Sequence, residues 1–338
     1  MSSAMHAASR RRRRLWPAGL AAAVVLAAGA PAFAASLTGT EGPDWFDGTN
    51  EADTIQLLGG DDHTAALGGD DIVYGGSGSD TLIGDADSNA VIGGVDRLYG
   101  GDGNDALLGS GGDDRLFGEG GNDSLGGEHG NDQLLGGAGD DWMRGDAGND
   151  SLSGGDGQDI LQGWDGDDSL HGEAGADELY GALGNDTLTG GTENDRLDGG
   201  DGDDWLDGDE GADWLYGGVG HDLLKGGSGD DIVDGGPGND TLSGDVGVDT
   251  IRGDEGNDGI GVSDSDQAYG GPGDDTFTIS QVARGARVDC GDGYDVVTFM
   301  TYKGLVGTAT VDASCEKVTW KALKGDTSYP WPPGPGDS

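Results

Sequence analysis

Basic residues are scarce: the 338-residue chain holds 17 Lys and Arg against 65 Asp and Glu, a formal net charge of −48. That balance excludes DNA or RNA as a partner, because phosphate backbones recruit basic surfaces. Large side chains are scarce as well. Aromatics make up 6% of the chain while 74 positions are Gly, so an ordinary globular core cannot be assembled from this composition. Read alone, it describes a disordered polyanion with too little apolar surface to offset chain entropy. A His-Glu-x-x-His zinc motif is absent, and His63, His129, His171 and His221 share no spacing. What such a charge attracts is cations, and oxygen-preferring ones.

The first 34 residues read as a targeting segment. Arg10 to Arg14 form a basic region, and Leu15 to Ala30 form an apolar run short for a bilayer. Ala32-Phe33-Ala34 then gives a small-x-small cleavage pattern. A short membrane anchor is the alternative. Cleavage after Ala34 starts the mature chain at Ala35 with no membrane span, leaving 12 basic residues against 65 acidic ones, a charge of −53.

A nine-residue period dominates the rest. It runs unbroken through Asp96, Asp105, Asp114, Asp123, Asp132, Asp141, Asp150, Asp159, Asp168, Asp177, Asp186, Asp195, Asp204, Asp213, Asp222, Asp231, Asp240, Asp249 and Asp258. An apolar residue follows each Asp by two positions, and Gly precedes each by two, with Glu193 the one exception. Asp44, Asp53, Asp62, Asp71 and Asp80 keep the phase upstream; Asp266 and Asp275 follow one residue out of step. Three position-specific constraints over so many copies remove the disordered reading for a cation-loaded chain.

Two of the best copies are Gly75-Gly76-Ser77-Gly78-Ser79-Asp80-Thr81-Leu82-Ile83 and Gly235-Gly236-Pro237-Gly238-Asn239-Asp240-Thr241-Leu242-Ser243. They resemble the hemolysin-type (RTX) calcium-binding nonapeptide, over roughly residues 39 to 278. The resemblance implies an all-β fold, a parallel β-roll with two nonapeptides per coil, six residues in a calcium-binding turn and three in a strand. It implies several Ca2+ ions, with Asp44, Asp53, Asp71, Asp80, Asp275 and the series from Asp96 to Asp258 as their ligands. The twin-arginine look of Arg13-Arg14 is then disfavoured, since that route exports folded cargo.

The residue types suit such a roll. Turn Gly takes φ > 0 and lets carbonyls approach an ion, and calcium takes six to eight hard oxygens. Alternation in a short strand points Leu inward and its neighbours outward. Asp105 and Asp123 are expected to stack on one edge, Asp96 and Asp114 on the other. One buried Leu per nine ordered residues leaves chain entropy uncompensated. Carboxylates stacked ~4.8 Å apart repel by about 0.9 kcal/mol even in water. The metal-free chain is therefore expected near unfolded, and about 27 units give some 13 coils, a rod of roughly 60 Å.

Some copies are irregular. Leu57-Leu58 replaces the first Gly pair before Asp62, and Glu51 and Glu193 replace the fourth-position Gly. The Asp80–Asp96 spacing is 16, which reads as two repeats short by two residues, with Asn89 where Asp is expected and Leu82, Val91 and Leu98 inside. Weak or empty metal sites are expected there, and the strongest between about Asp105 and Asp258.

Residues 279–324 change character, with Arg284, Arg287, Lys303, Lys317, Lys321 and Lys324 against Asp289, Asp292, Asp295, Asp312 and Glu316. Strand-like runs Val296-Val297-Thr298-Phe299 and Val318-Thr319-Trp320 mark a β cap over the 35–278 roll, as a stack needs protected ends. Cys290 and Cys315 most simply form one disulfide in a secreted chain, free thiols being the alternative. Residues 325–338, with Pro330, Pro332, Pro333 and Pro335, read as a disordered tail.

Function follows as far as these features carry it: a secreted, extracellular, calcium-binding structural element, and not an enzyme, since only about five residues separate the cleavage site from the first repeat. Outward Trp142, Trp205 and Trp214, with Tyr99, Tyr180 and Tyr216, keep an adhesive or glycan-binding surface open, although the spacing puts them on scattered coils. A non-catalytic partner of a secreted enzyme is a further alternative. Thr187, Thr241, Thr250 and Thr276 are too sparse for an ice-binding ladder.

Overall fold

Numbering the repeat one to nine as Gly-Gly-x-Gly-x-Asp-x-Leu-x places the strand at seven, eight and nine, where extended backbone turns eight to one face and its neighbours to the other. In the strand Gln133–Ala138, Leu134 is buried and Gln133 exposed. The strand runs on through positions one to three, and the chain reverses at four to six. The computed structural model describes residues 34–85, 93–263, 265–280, 285–301 and 309–322. Successive strands alternate between two parallel sheets of 16 and 15 strands, so each pairs with the strand one coil later. Leu134 pairs with Leu152 and Leu152 with Leu170, while Leu125, Met143 and Leu161 pair in the facing sheet. Their side chains meet in one apolar column from Phe46 to Val297, no member more than 2% exposed. This is a parallel β-roll; its 15 paired coils at ~4.8 Å make a rod of about 70 Å.

Glycine is demanded at two positions for different reasons. A Cβ on Gly136, at position one, would collide with the carboxylate of Asp141 and crowd the Gly154 carbonyl. Gly139, at position four, has φ +132° and lies on the carbonyl of Gly121. Position two is also left-handed, yet tolerates side chains that point outward: Glu119, Asp146, Trp164, Glu173 and Ala182 have φ between +74° and +87°. L-residues pay for that conformation, so Ala182→Gly is expected to stabilise the calcium-loaded protein by about 1 kcal/mol, read as a rise in its urea midpoint.

The Asp80–Asp96 interval is one repeat carrying an insertion, not two shortened repeats. Strand Thr81–Asp85 pairs with Ala106–Gly111, and Ile72–Ser77 with Arg97–Asp102, each across 25 residues instead of 18. Residues 86–92 are thus extra, and the stacking resumes in phase behind them. Leu82 pairs with Leu107 and Val73 with Leu98; Asn89 and Val91 lie outside the described residues. Over this interruption Tyr74, Tyr99 and Phe117 stack with ring centroids 4.9 and 4.7 Å apart and planes within 11° of parallel. Such pairs add about 0.5–1.5 kcal/mol each beyond the area they bury.

The C-terminal segment closes the roll by prolonging it. Arg287–Asp292 pairs with Gln267–Pro272, Val296–Thr301 with Thr276–Ile279, and Lys317–Ala322 with Val296–Thr301. Cys290 and Cys315 are joined, their Cα atoms 5.3 Å apart and 25 residues distant in sequence. A loop of that size is worth about 3 to 4 kcal/mol in the chain-entropy account. The expected targeting segment, except Ala34, and the tail lie outside the described residues.

Candidate metal centre

The repeat carries each position-six Asp to the rim of the roll, where it is buried beneath the turn. Its main-chain N–H donates to Oδ1 of the Asp one coil further on: Asp105 to Asp123 at 2.8 Å, Asp123 to Asp141 at 2.7 Å, and Asp141 to Asp159 at 2.8 Å. One such ladder climbs the first edge from Asp44 to Asp266; a second climbs the other edge through Asp96 and Asp114, as expected. Neither ladder breaks at the insertion, where Asp71 donates to Asp96 and Asp80 to Asp105, both across 25 residues.

Oδ1 is satisfied in this way, but Oδ2 is not. From Asp62 to Asp258 every position-six Asp keeps a buried Oδ2 without a hydrogen-bond partner, as do Asp275 and Asp295. These oxygens point at position-one glycines and at carbonyls of the neighbouring coil: Oδ2 of Asp159 faces Gly154, beside the Gly172 carbonyl. Burial is the main cause that raises their carboxyls, opposed by the main-chain N–H and helped by neighbouring carboxylates. Asp114 and Asp195 rise to about 8, and Asp132, Asp150 and Asp204 to about 7. Among the described residues no Lys or Arg forms an ion pair with these columns, and buried carboxylates so placed call for a counter-cation.

The donor set fits calcium. Among the described residues no three His, Cys, Asp or Glu side chains form a metal-binding group. Each turn offers instead one carboxylate and several main-chain carbonyls, all hard oxygen donors of the kind Ca2+ takes and softer metals do not. The histidines serve elsewhere: His63 packs on Trp45, and His171 contacts Ser169 at 3.2 Å.

The structure separates some of the expected site residues from the rest. Asp53 has both oxygens engaged, by the N–H groups of Ala35 and Thr49. Asp44 is partly engaged, by Thr40 N–H at 2.5 Å. Asp62, set aside for its Leu57-Leu58 turn, joins the ladder like its neighbours, because Leu58 takes φ +77°. Asp266 spends Oδ2 on Ser263 N–H at 2.5 Å. Asp295, two residues late for the period, accepts from Asp275 at 2.9 Å and was missed; Glu316 ends the column by accepting from Asp295 at 2.8 Å.

A second ladder, at position five, was missed altogether. On the Asp114 edge it runs unbroken from Asp113 through Asn131, Asn149, Asp167, Asn185, Asp203, His221, Asn239, Asn257 and Asp274 to Tyr294, each residue's N–H donating to the side chain one coil earlier. His221 accepts through Nδ1 at 3.0 Å. The signal was an acceptor side chain at every second repeat, in varied residue types.

The outward aromatics lie on scattered coils, as their spacing suggested, although some fall in common files. Trp142 and Trp214 share a file with Ile160, Glu178 and Arg196, and Tyr180 and Tyr216 share the adjacent one. Trp142, Trp214 and Ile232 are 41–48% exposed, and the Arg196 guanidinium lies 4.5 Å from the centroid of the Trp214 ring.

The family profile of the RTX calcium-binding nonapeptide repeat matches eight stretches that together run from residue 38 to residue 278. No curated protein matches the chain. A solved structure of a hyperactive, Ca2+-dependent, β-helical antifreeze protein from an Antarctic bacterium is similar at 19% identity. It covers 80% of this chain and 85% of its own, with a TM-score of 0.39.

Proposed function

Because the chain belongs to the RTX calcium-binding nonapeptide repeat family, we propose that it is a secreted protein that folds on calcium into an extracellular structural rod. The observation that carries this reading is the pair of edge columns of buried, unpartnered Asp Oδ2 atoms. Oδ2 of the position-six Asp and the carbonyls around it hold the ions; Oδ1 and the Leu column fix the register. Calcium supplies the positive charge that the columns lack and fastens each turn to the next. Residues 1–34 direct export, 35–278 form the roll, and 279–324 cap it. The rod has no catalytic role in this reading.

Native mass spectrometry of the full-length product from the culture medium tests the proposal. A chain beginning at Ala35, with several calcium ions that EGTA removes, is expected. A folded chain without calcium, or one retained in the cell, contradicts it.

The aligned file of Trp142, Ile160 and Trp214 supports a second reading, an adhesive face that stacks on sugars. A glycan array on calcium-loaded protein, with Trp142→Ala/Trp214→Ala as control, distinguishes the two.

A further inference from the structure

Acidic side chains at position two normally lean away from the roll. Glu119, Glu173, Asp209 and Asp254 take positive φ there and are exposed. Asp85 occupies the same position, at the start of the insertion, and behaves otherwise. It does not adopt positive φ, and its side chain is 5% exposed. Oδ2 accepts from Gly94 N–H at 3.0 Å, and the Asp85 carbonyl accepts from Ser110 Oγ at 3.2 Å. Without the left-handed conformation seen at this position elsewhere, the Asp85 carboxylate is buried instead of exposed.

A second buried carboxylate, that of Asp96, is its electrostatic neighbour. Asp96, 0% exposed, has an unpartnered Oδ2 that faces Gly84, the residue before Asp85. A Cβ on Gly93 would collide with Asp85 Oδ2 and with the Gly111 carbonyl; one on Gly84 would collide with Asp96 Oδ2 and stand 2.8 Å from the Gly109 carbonyl. Asp85 acts electrostatically on Asp71, Asp96 and Asp114, and among the described residues no basic group offsets it at these three. A regular turn brings one inward carboxylate; this one brings two.

Against the expectation, drawn from motif regularity, that metal binds weakly at the interruption and most strongly between Asp105 and Asp258, we propose that Asp85 and Asp96 together form a two-carboxylate calcium site at the insertion, and that this site fills before those of the regular repeats. The inference rests on the calcium-binding reading given above. The two carboxylates and the carbonyls of Gly109 and Gly111 supply hard oxygens toward the six to eight that calcium takes, and affinity rises with ligand charge. The interruption then acts as the seed from which the roll orders in both directions.

The test is a chelator-buffered calcium titration of the full-length chain by calorimetry, together with hydrogen exchange at limiting calcium. Asp85→Asn is expected to weaken the tightest binding step at least tenfold and to leave later steps unchanged. Glu173→Gln, at the same position but exposed, is expected to change neither. In the unmodified protein, amides 93–98 are expected to gain protection first. A tightest step that survives Asp85→Asn overturns the proposal while leaving calcium binding intact; a chain that binds no calcium removes both. First protection anywhere else also overturns it, and that measurement needs no variant to fold.

Discussion

In excess EGTA the chain is expected to give a coil-like circular dichroism spectrum, and millimolar calcium is expected to restore β signal in a cooperative transition. The cause is visible in the two edges. Burial and repulsion raise the carboxyls of Asp114, Asp132 and Asp150 to between about 7 and 8, so a metal-free roll at neutral pH must bury charges or take up protons. Neither the single Leu of each repeat nor the Oδ1 ladder offsets that cost together with the entropy of ordering nine residues. A cation held as proposed would remove the repulsion and satisfy Oδ2 at once. A β spectrum insensitive to chelator would falsify the proposed dependence.

Leu170→Asp is expected to split the rod. Leu170 is fully buried between Leu152 and Leu188 in the middle of the apolar column. Truncating such a leucine to Ala alone costs about 2–5 kcal/mol, and a carboxylate left there without a partner costs more. In a stack where each coil touches only its neighbours, a fault in the middle divides the cooperative unit. The single calcium-induced transition is expected to become two, with hydrogen exchange locating the gap at residues 151–188. Leu170→Met, which conserves volume, is expected to leave one transition; two transitions for both variants, or one for both, would count against a nearest-neighbour rod.

The fold was legible because three fixed residue types recur in phase. The Asp, Gly and Leu positions placed the two edges, the turns and the core column before any coordinates. What escaped lies where the period alone is ambiguous. A spacing of 16 between Asp80 and Asp96 fits two repeats short by two residues as readily as one repeat lengthened by seven, and the choice is made by pairing, Tyr74 against Tyr99. The position-five ladder escaped because Asn, Asp and His accept a hydrogen bond equally well, so no single residue type recurs. Asp85 escaped because position two is variable and faces outward nearly everywhere else. Asp53 shows the opposite failure: it keeps the phase, yet main-chain N–H groups engage both of its oxygens.

The direction of the main-chain hydrogen bonds has a mechanical consequence. They join each strand to the strand one coil away, so they lie along the rod rather than across it. Tension between the two ends therefore loads the bonds of one coil at a time, as in opening a zipper, instead of shearing many together. Each regular coil that yields frees 18 residues, about 60 Å of slack. The coil with the insertion frees 25, about 85 Å. If calcium holds each coil as proposed above, stretching the loaded protein is expected to extend it in steps whose force depends on the ions of the coil that yields.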